Sequence, residues 1–175
     1  MDAIKLVLYS DADQWLTEAI ECDARTMREL GGPTSREEAA EVHRRRVETI
    51  AADPWWFKIV PGPEALAVGM LGIWASEHDG EQLDEVGWMV LPAFQGHGIA
   101  TAALELLLAR ARGGPRFERI HAFPAVSNAP SNAMCRKLGF ALLGGCEVDF
   151  RHRRLRCNHW ERGLREADVE RGASE

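Results

Sequence analysis

Long apolar runs are missing from this chain. No stretch approaches the ~20 residues needed to span a bilayer, so no membrane-crossing helix is expected. Cysteine is sparse, and Cys22, Cys135, Cys146 and Cys157 form no CxxC pair. The 6 histidines show no metal-ligand spacing either, so no metal is expected and the cysteines read as free thiols of a reducing compartment. Tyrosine is nearly absent, with Tyr9 alone. Positive charge is in deficit: 21 Lys and Arg against 27 Asp and Glu give a net charge of −6, which argues against a nucleic-acid binder. The first residues, MDAIKLVLYSDAD, meet acids early and hold no apolar core or cleavage site. No signal peptide is therefore expected, and a cytoplasmic location is the default. Internal repeats and low-complexity linkers are lacking too.

What remains is ordinary for a globular protein, with 46% hydrophobic and 27% charged residues. A length of 175 residues favours one domain, expected over 1–165, with a charged, disordered tail over 166–175. The pattern predicts a short strand at 4–8 and a helix over 14–30 capped by Asp11 or Asp13 and stopped at Gly31-Gly32-Pro33. A second helix follows, capped by Thr34 or Ser35 and ended before Pro54. Strands are predicted at 55–60, 65–74 and 83–90, with turns at Pro61-Gly62-Pro63 and Asp79-Gly80. A helix to about Arg112 carries Leu104, Leu107, Leu108 and Ala111 on one stripe. A strand at 119–126, a helix at 129–137 closed by Gly139, and strands at 141–150 and 155–161 complete a mixed α/β sheet.

Gln95-Gly96-His97-Gly98-Ile99-Ala100 joins a strand to a helix. Glycines let the backbone approach a bulky anion, and the helix adds unpaired N–H groups and a positive dipole end. An ordinary tight turn is the alternative reading. The segment is no P-loop, since it lacks the Gly-Lys-Ser/Thr ending, and it lacks the third glycine of a dinucleotide fingerprint. A phosphate cradle without this machinery suggests a phosphate-bearing cofactor that is held rather than cleaved at phosphorus.

Four segments together resemble the GNAT superfamily of acetyl-CoA-dependent N-acetyltransferases. They are Glu85-Val86-Gly87-Trp88-Met89-Val90-Leu91-Pro92, Gln95 to Thr101, Asn128-Ala129-Pro130-Ser131 with Lys137-Leu138-Gly139-Phe140, and Leu30-Gly31-Gly32-Pro33. The last is similar to the branch that acetylates ribosomal-protein N-termini. The resemblance implies a GNAT-like fold whose mostly antiparallel sheet splays after the central strand, where the pantetheine arm fills the gap. It implies that Met89 and Val90 meet the pantetheine and thioester, with the Val90 N–H toward the thioester oxygen. Gln95, Gly96, His97, Gly98, Ile99, Ala100 and Thr101 then hold the pyrophosphate, Asn128 bonds the pantetheine, and Ser131 lies nearby. The cosubstrate implied is acetyl-CoA and the acceptor a primary amine: a small molecule, an amino acid or a protein N-terminus. A homodimer stays open.

Acetyl transfer needs a neutral amine. An amine of pKa ~10.4 is neutral in about one part in ~10³ at pH 7, a handicap of roughly 4 kcal/mol. Glu85, on the central strand where family members often place a base, is the candidate to remove that proton through water, with Asp84 a weaker rival. Many members aim a tyrosine at the leaving sulfur seven residues after the asparagine; here that position holds Cys135. Either Cys135 donates the proton, or water does, or the coenzyme leaves as thiolate. A packed helix residue is the alternative for Cys135. An acyl-CoA-binding sensor without turnover is the rival functional class. His121 reads as a satisfied core residue, Trp55, Trp56 and Trp74 as core, and the run Arg151 to Arg156 as a solvated turn or an anion contact.

Overall fold

A computed structural model describes residues 3–53, 55–62, 65–151 and 153–165. The elements run β1 (Lys5–Leu8), α1 (Gln14–Glu21), α2 (Arg36–Ala52), β2 (Trp56–Val60), β3 (Gly69–His78), β4 (Glu81–Val90), α3 (Ile99–Arg112), β5 (Arg119–Ala122), α4 (Ala129–Lys137), β6 (Ala141–Phe150) and β7 (Arg153–Gly163). Seven strands form one sheet in the order β1-β2-β3-β4-β5-β7-β6. The β1–β2, β2–β3, β5–β7 and β6–β7 pairings are antiparallel, while β4 and β5 are parallel. This is the mixed α/β class expected from the sequence.

The described residues form two compact units, one of those up to 73 together with 87–104, the other of 74–86 together with those from 105 on. In the first, α1 and α2 bury Leu16, Ile20 and Ala39, and β2 and β3 bury Phe57, Ile59, Met70 and Leu71. Polar groups are buried here as well, and they satisfy one another. The Tyr9 hydroxyl donates to or accepts from Thr17 and His43 Nδ1, the latter at 2.7 Å. Arg46 donates to Thr17 at 3.0 Å and to Glu21 at 3.2 Å, with its guanidinium 4.7 Å from the Trp56 ring. Lys58 bonds Asp13 at 2.7 Å. Ser35 caps α2 by accepting the Glu38 N–H, and Glu38 returns a bond to the Ser35 N–H at 2.9 Å.

The second unit packs Phe117, Ile120, Ala122, Met134, Cys135, Phe140 and Trp160 into its core. Buried Asn132 ties α4 to β7. Its Oδ1 accepts from Asn158 at 2.8 Å and from Trp160 Nε1 at 2.9 Å, and its Nδ2 donates to the carbonyls of Ala125 and Asn128. The β6–β7 ladder slips by a bulge between Leu142 and Gly144.

Four expectations shift. The helix predicted over 14–30 stops at Glu21, because the Asp23 side chain accepts from the N–H groups of Arg25 and Thr26 and turns the chain; a single 3-10 turn, Arg28–Leu30, precedes the left-handed Gly31. Asp13 does not cap α1 through its side chain, which is spent on Ser10 and Lys58. The strand predicted to Val126 ends at Ala122, shortly before Pro124, which has no N–H for a ladder. The strands predicted at 65–74 and 83–90 are one longer hairpin, Gly69–His78 and Glu81–Val90, turned at Asp79 and Gly80 with φ of 51° and 81°. Pro54, Pro63, His152 and the tail over 166–175 lie outside the described residues.

Candidate active site

In the first unit the end of β4 leads into the glycine turn. Gly69 lets β3 lie against this segment, since a Cβ there would stand 2.4 Å from the Met89 carbonyl oxygen. The Leu91 N–H donates to the Val68 carbonyl at 2.8 Å. By strand alternation the Val90 N–H therefore points to the opposite edge of β4. Gln95 folds back, its Nε2 donating to the Val90 carbonyl at 2.8 Å, so this side chain staples the loop rather than extending from it. Gly96 and Gly98 hold φ of 79° and 75°, a left-handed backbone that a side chain resists. Space above both is open, and no described residue accepts from the N–H groups of Gly96, His97 or Gly98. Ile99, Ala100 and Thr101 begin α3, whose first N–H groups have no intrahelical partner. A concave set of outward amides at a helix start is a fitting receptor for pyrophosphate.

In the second unit Glu85 is half-buried on β4 and faces His121 of β5 in register. Burial pushes the Glu85 carboxyl above its ordinary range, with the Ser76 hydroxyl opposing. His121 Nδ1 lies 2.9 Å from His159 Nε2, so one proton is shared between the two imidazoles. Burial lowers the pKa of both rings, which favours their neutral forms. His159 stacks on Phe123 at 4.5 Å, and His78 meets its ring edge-on at 5.3 Å. Glu161 stands 3.8 Å from His121 Nε2. A cavity of about 340 Å³ opens among His78, His121, His159, Glu161, Arg119 and Leu143. Three histidines from three strands thus gather on one face beside Glu85. The sequence pointed only to His121, and then as core; the register that adds His78 and His159 is set by the pairing of distant strands. Asp84 is held by Arg116 at 3.1 Å.

Asn128 caps α4, its Oδ1 accepting the Ser131 N–H at 3.2 Å, which leaves its amide nitrogen outside the cap. Cys135 lies two turns on, fully buried, and burial pushes its thiol up to about 12. The only tyrosine, Tyr9, is committed to the network of the first unit. Arg154, in the basic run, pairs with Glu147 and Asp149 across the β6–β7 ladder. Among the described residues no His, Cys, Asp or Glu group could hold a metal.

The family model for the acetyltransferase (GNAT) domain matches residues 4–141. The chain belongs to the GNAT acetyltransferases. Solved GNAT structures share its fold. An acetyltransferase from Salmonella typhimurium that modifies the N-terminal serine of ribosomal protein L7/L12 is 18% identical, with 93% of this chain and 96% of that chain covered and a TM-score of 0.75. A phosphinothricin acetyltransferase from Sinorhizobium meliloti, solved with acetyl-CoA, is 22% identical over 94% and 90%, with a TM-score of 0.74. A spermidine N-acetyltransferase from Vibrio cholerae, solved with coenzyme A and spermine, is 15% identical over 93% and 96%, also at 0.74. No protein of curated function matches the chain in sequence. As a GNAT member the chain is an acetyl-CoA-dependent N-acetyltransferase.

Proposed function

We propose that the protein transfers the acetyl group of acetyl-CoA to a primary amine by direct attack in a ternary complex. The observation that carries this reading is the glycine turn, with its open left-handed backbone and unpaired amides at the start of α3. In it, Gly96, His97, Gly98, Ile99, Ala100 and Thr101 hold the pyrophosphate, and Gln95 fixes the turn through its bond to Val90. Met89 and Val90 line the pantetheine and thioester, Asn128 offers its amide to the pantetheine, and Ser131 lies beside it. Bound acetyl-CoA supplies the activated acetyl group. The Val90 N–H, turned away from β3, donates to the thioester oxygen as charge develops there.

Glu85 takes the proton of the incoming ammonium, directly or through water. Its raised carboxyl pKa brings it toward the range where a base is effective near neutral pH. Neutral imidazoles at His121 and His159 place no fixed positive charge against a cationic amine on that face. Cys135 we read as packing. A thiol near 12 giving its proton to a coenzyme thiolate of pKa ~8.5 works uphill by about 5 kcal/mol. Water then serves the leaving sulfur, or the coenzyme departs as thiolate. The acceptor is a small amine, an amino acid or a protein N-terminus.

Calorimetric titration with acetyl-CoA, with ATP and NAD⁺ as controls, tests the reading together with coenzyme A release over a panel of amines. Micromolar binding confined to acetyl-CoA, lost in Gly98→Trp, and release that persists in Cys135→Ala are expected. Binding without release on any amine, peptide N-termini included, would instead make the chain an acyl-CoA sensor. Binding unchanged by Gly98→Trp would remove the turn from the site.

A further inference from the structure

The second unit holds a cleft of about 360 Å³ between the second half of α3, the end of α4 and β7. Glu105, Leu108 and Arg112 line it at i, i+3 and i+7, one face of α3. Lys137, Leu138 and Gly139 supply the end of α4, and Arg162 reaches in from β7. Leu108 and Leu138 are buried and form an apolar floor. Arg162 shares its strand face with buried Trp160, so its stem runs between sheet and helices. The left-handed turn at Gly139 brings the backbone to the guanidinium, whose Nη1 lies 3.6 Å from where a Cβ would stand.

Three cations therefore converge on one cleft. The chain is acidic, and many of its arginines find carboxylates, among them Arg44 with Glu41, Arg116 with Asp84, Arg154 with Glu147 and Arg165 with Glu118. Among the described residues, Arg112, Lys137 and Arg162 form no ion pair and no side-chain hydrogen bond. The C-terminal dipoles of α3 and α4 account for Arg112 and Lys137, since carbonyl ends attract cations. They do not account for Arg162, which sits on a strand, half-buried, with its pKa lowered by burial and by Arg112. A guanidinium held beside a like charge in a partly dry cleft is destabilised unless an anion joins it. Glu105, the one carboxylate of the lining, pairs with none of the three.

We propose that this cleft is a binding site for a doubly charged phosphoryl group, held by Arg162, Arg112 and Lys137. Three cations and one carboxylate leave two positive charges, which a phosphate monoester or inorganic phosphate neutralises and a monocarboxylate does not. Guanidinium forks match phosphoryl oxygens in pairs, and the lysine adds a point charge. This site is additional to the glycine turn and does not depend on the catalytic reading.

The test is thermal unfolding and calorimetry with inorganic phosphate, at constant ionic strength, against chloride and acetate. A saturable rise in melting temperature with phosphate, absent with acetate, is expected, and Gly98→Trp should retain it. Arg162→Gln should weaken phosphate binding at least tenfold, Lys137→Gln severalfold, and Glu105→Gln should tighten it severalfold. All three variants should bind acetyl-CoA within twofold of the parent. A phosphate response no larger than that of chloride, or one unchanged in both Arg162→Gln and Lys137→Gln, overturns the site. A response lost in Gly98→Trp but kept in Arg162→Gln overturns it as well, by moving the anion to the turn.

Discussion

At Glu85, burial works against charge. The folded protein raises this carboxyl's pKa, so the native state binds a proton that the unfolded chain has released. Its ionised form therefore subtracts from stability above the folded pKa and costs nothing below the unfolded value near 4.5. Glu85→Gln should raise the melting temperature at pH 8 and leave it unchanged at pH 4. In acetyl transfer the same variant should lower turnover far more than acetyl-CoA affinity and flatten the acid limb of the rate profile. Melting curves and initial rates across pH check both, and parallel profiles for parent and variant would take the base role from Glu85. Glu85 was singled out in the sequence because it stands on the central strand where family members often place a base. His78 and His159 were not legible, because only the pairing of β5 with β7 and the reach of the β3–β4 hairpin bring them to it.

At the scale of elements, local chemistry foretold starts better than stops. Of Thr34 and Ser35, the two caps expected for α2, Ser35 takes the place and accepts the Glu38 N–H, while Asn128, expected only as a pantetheine contact, also caps α4. The bounds of α3 and α4 follow from their glycines and prolines in the same way. The end of α1 escaped because one aspartate, Asp23, competes for backbone donors that the apolar periodicity had assigned to a helix. The polar network beneath α1 and α2 escaped for another reason: its members are up to 45 residues apart and no short motif joins them. Its effect on stability is measurable. Arg46→Ala removes the guanidinium that donates to buried Glu21 and Thr17, and breaking a buried pair from one side costs about 3–5 kcal/mol. Urea unfolding should register that loss. A cost under about 1 kcal/mol would class the pair with exposed bridges, where such values are usual.

For the molecule as a whole, the family was legible and the acceptor was not. The glycine turn, the central strand and the Asn-x-x-Ser segment are backbone motifs, and backbone geometry is what a family shares. An acceptor is chosen by side chains that converge from distant strands, and no short motif encodes such a convergence. Acetyl-CoA should nonetheless report on the whole fold. A ligand at a hundred times its Kd adds about 2.7 kcal/mol of stability. In a domain of this size that corresponds to a rise in melting temperature of about 5–11 °C. Calorimetric scans with and without acetyl-CoA measure it, and an unmoved transition at saturating ligand would contradict binding to the native state.

The slipped register of β6 has a consequence for how copies of the chain behave when crowded together. β6 is the last strand of the sheet, and it carries exposed Leu142 and Leu143 on an outer edge that no strand among the described residues pairs with. A straight, apolar border of this kind is an invitation to stack. The extra residue at the bulge, with Gly144 at φ of 151°, bends that border at the point where the leucines sit, and Glu147 and Asp149 charge the stretch beyond it. An incoming strand meets a kink and then repulsion. Deleting Leu143 would straighten the edge and bring the whole border into line, at the cost of a protein that gels on concentration.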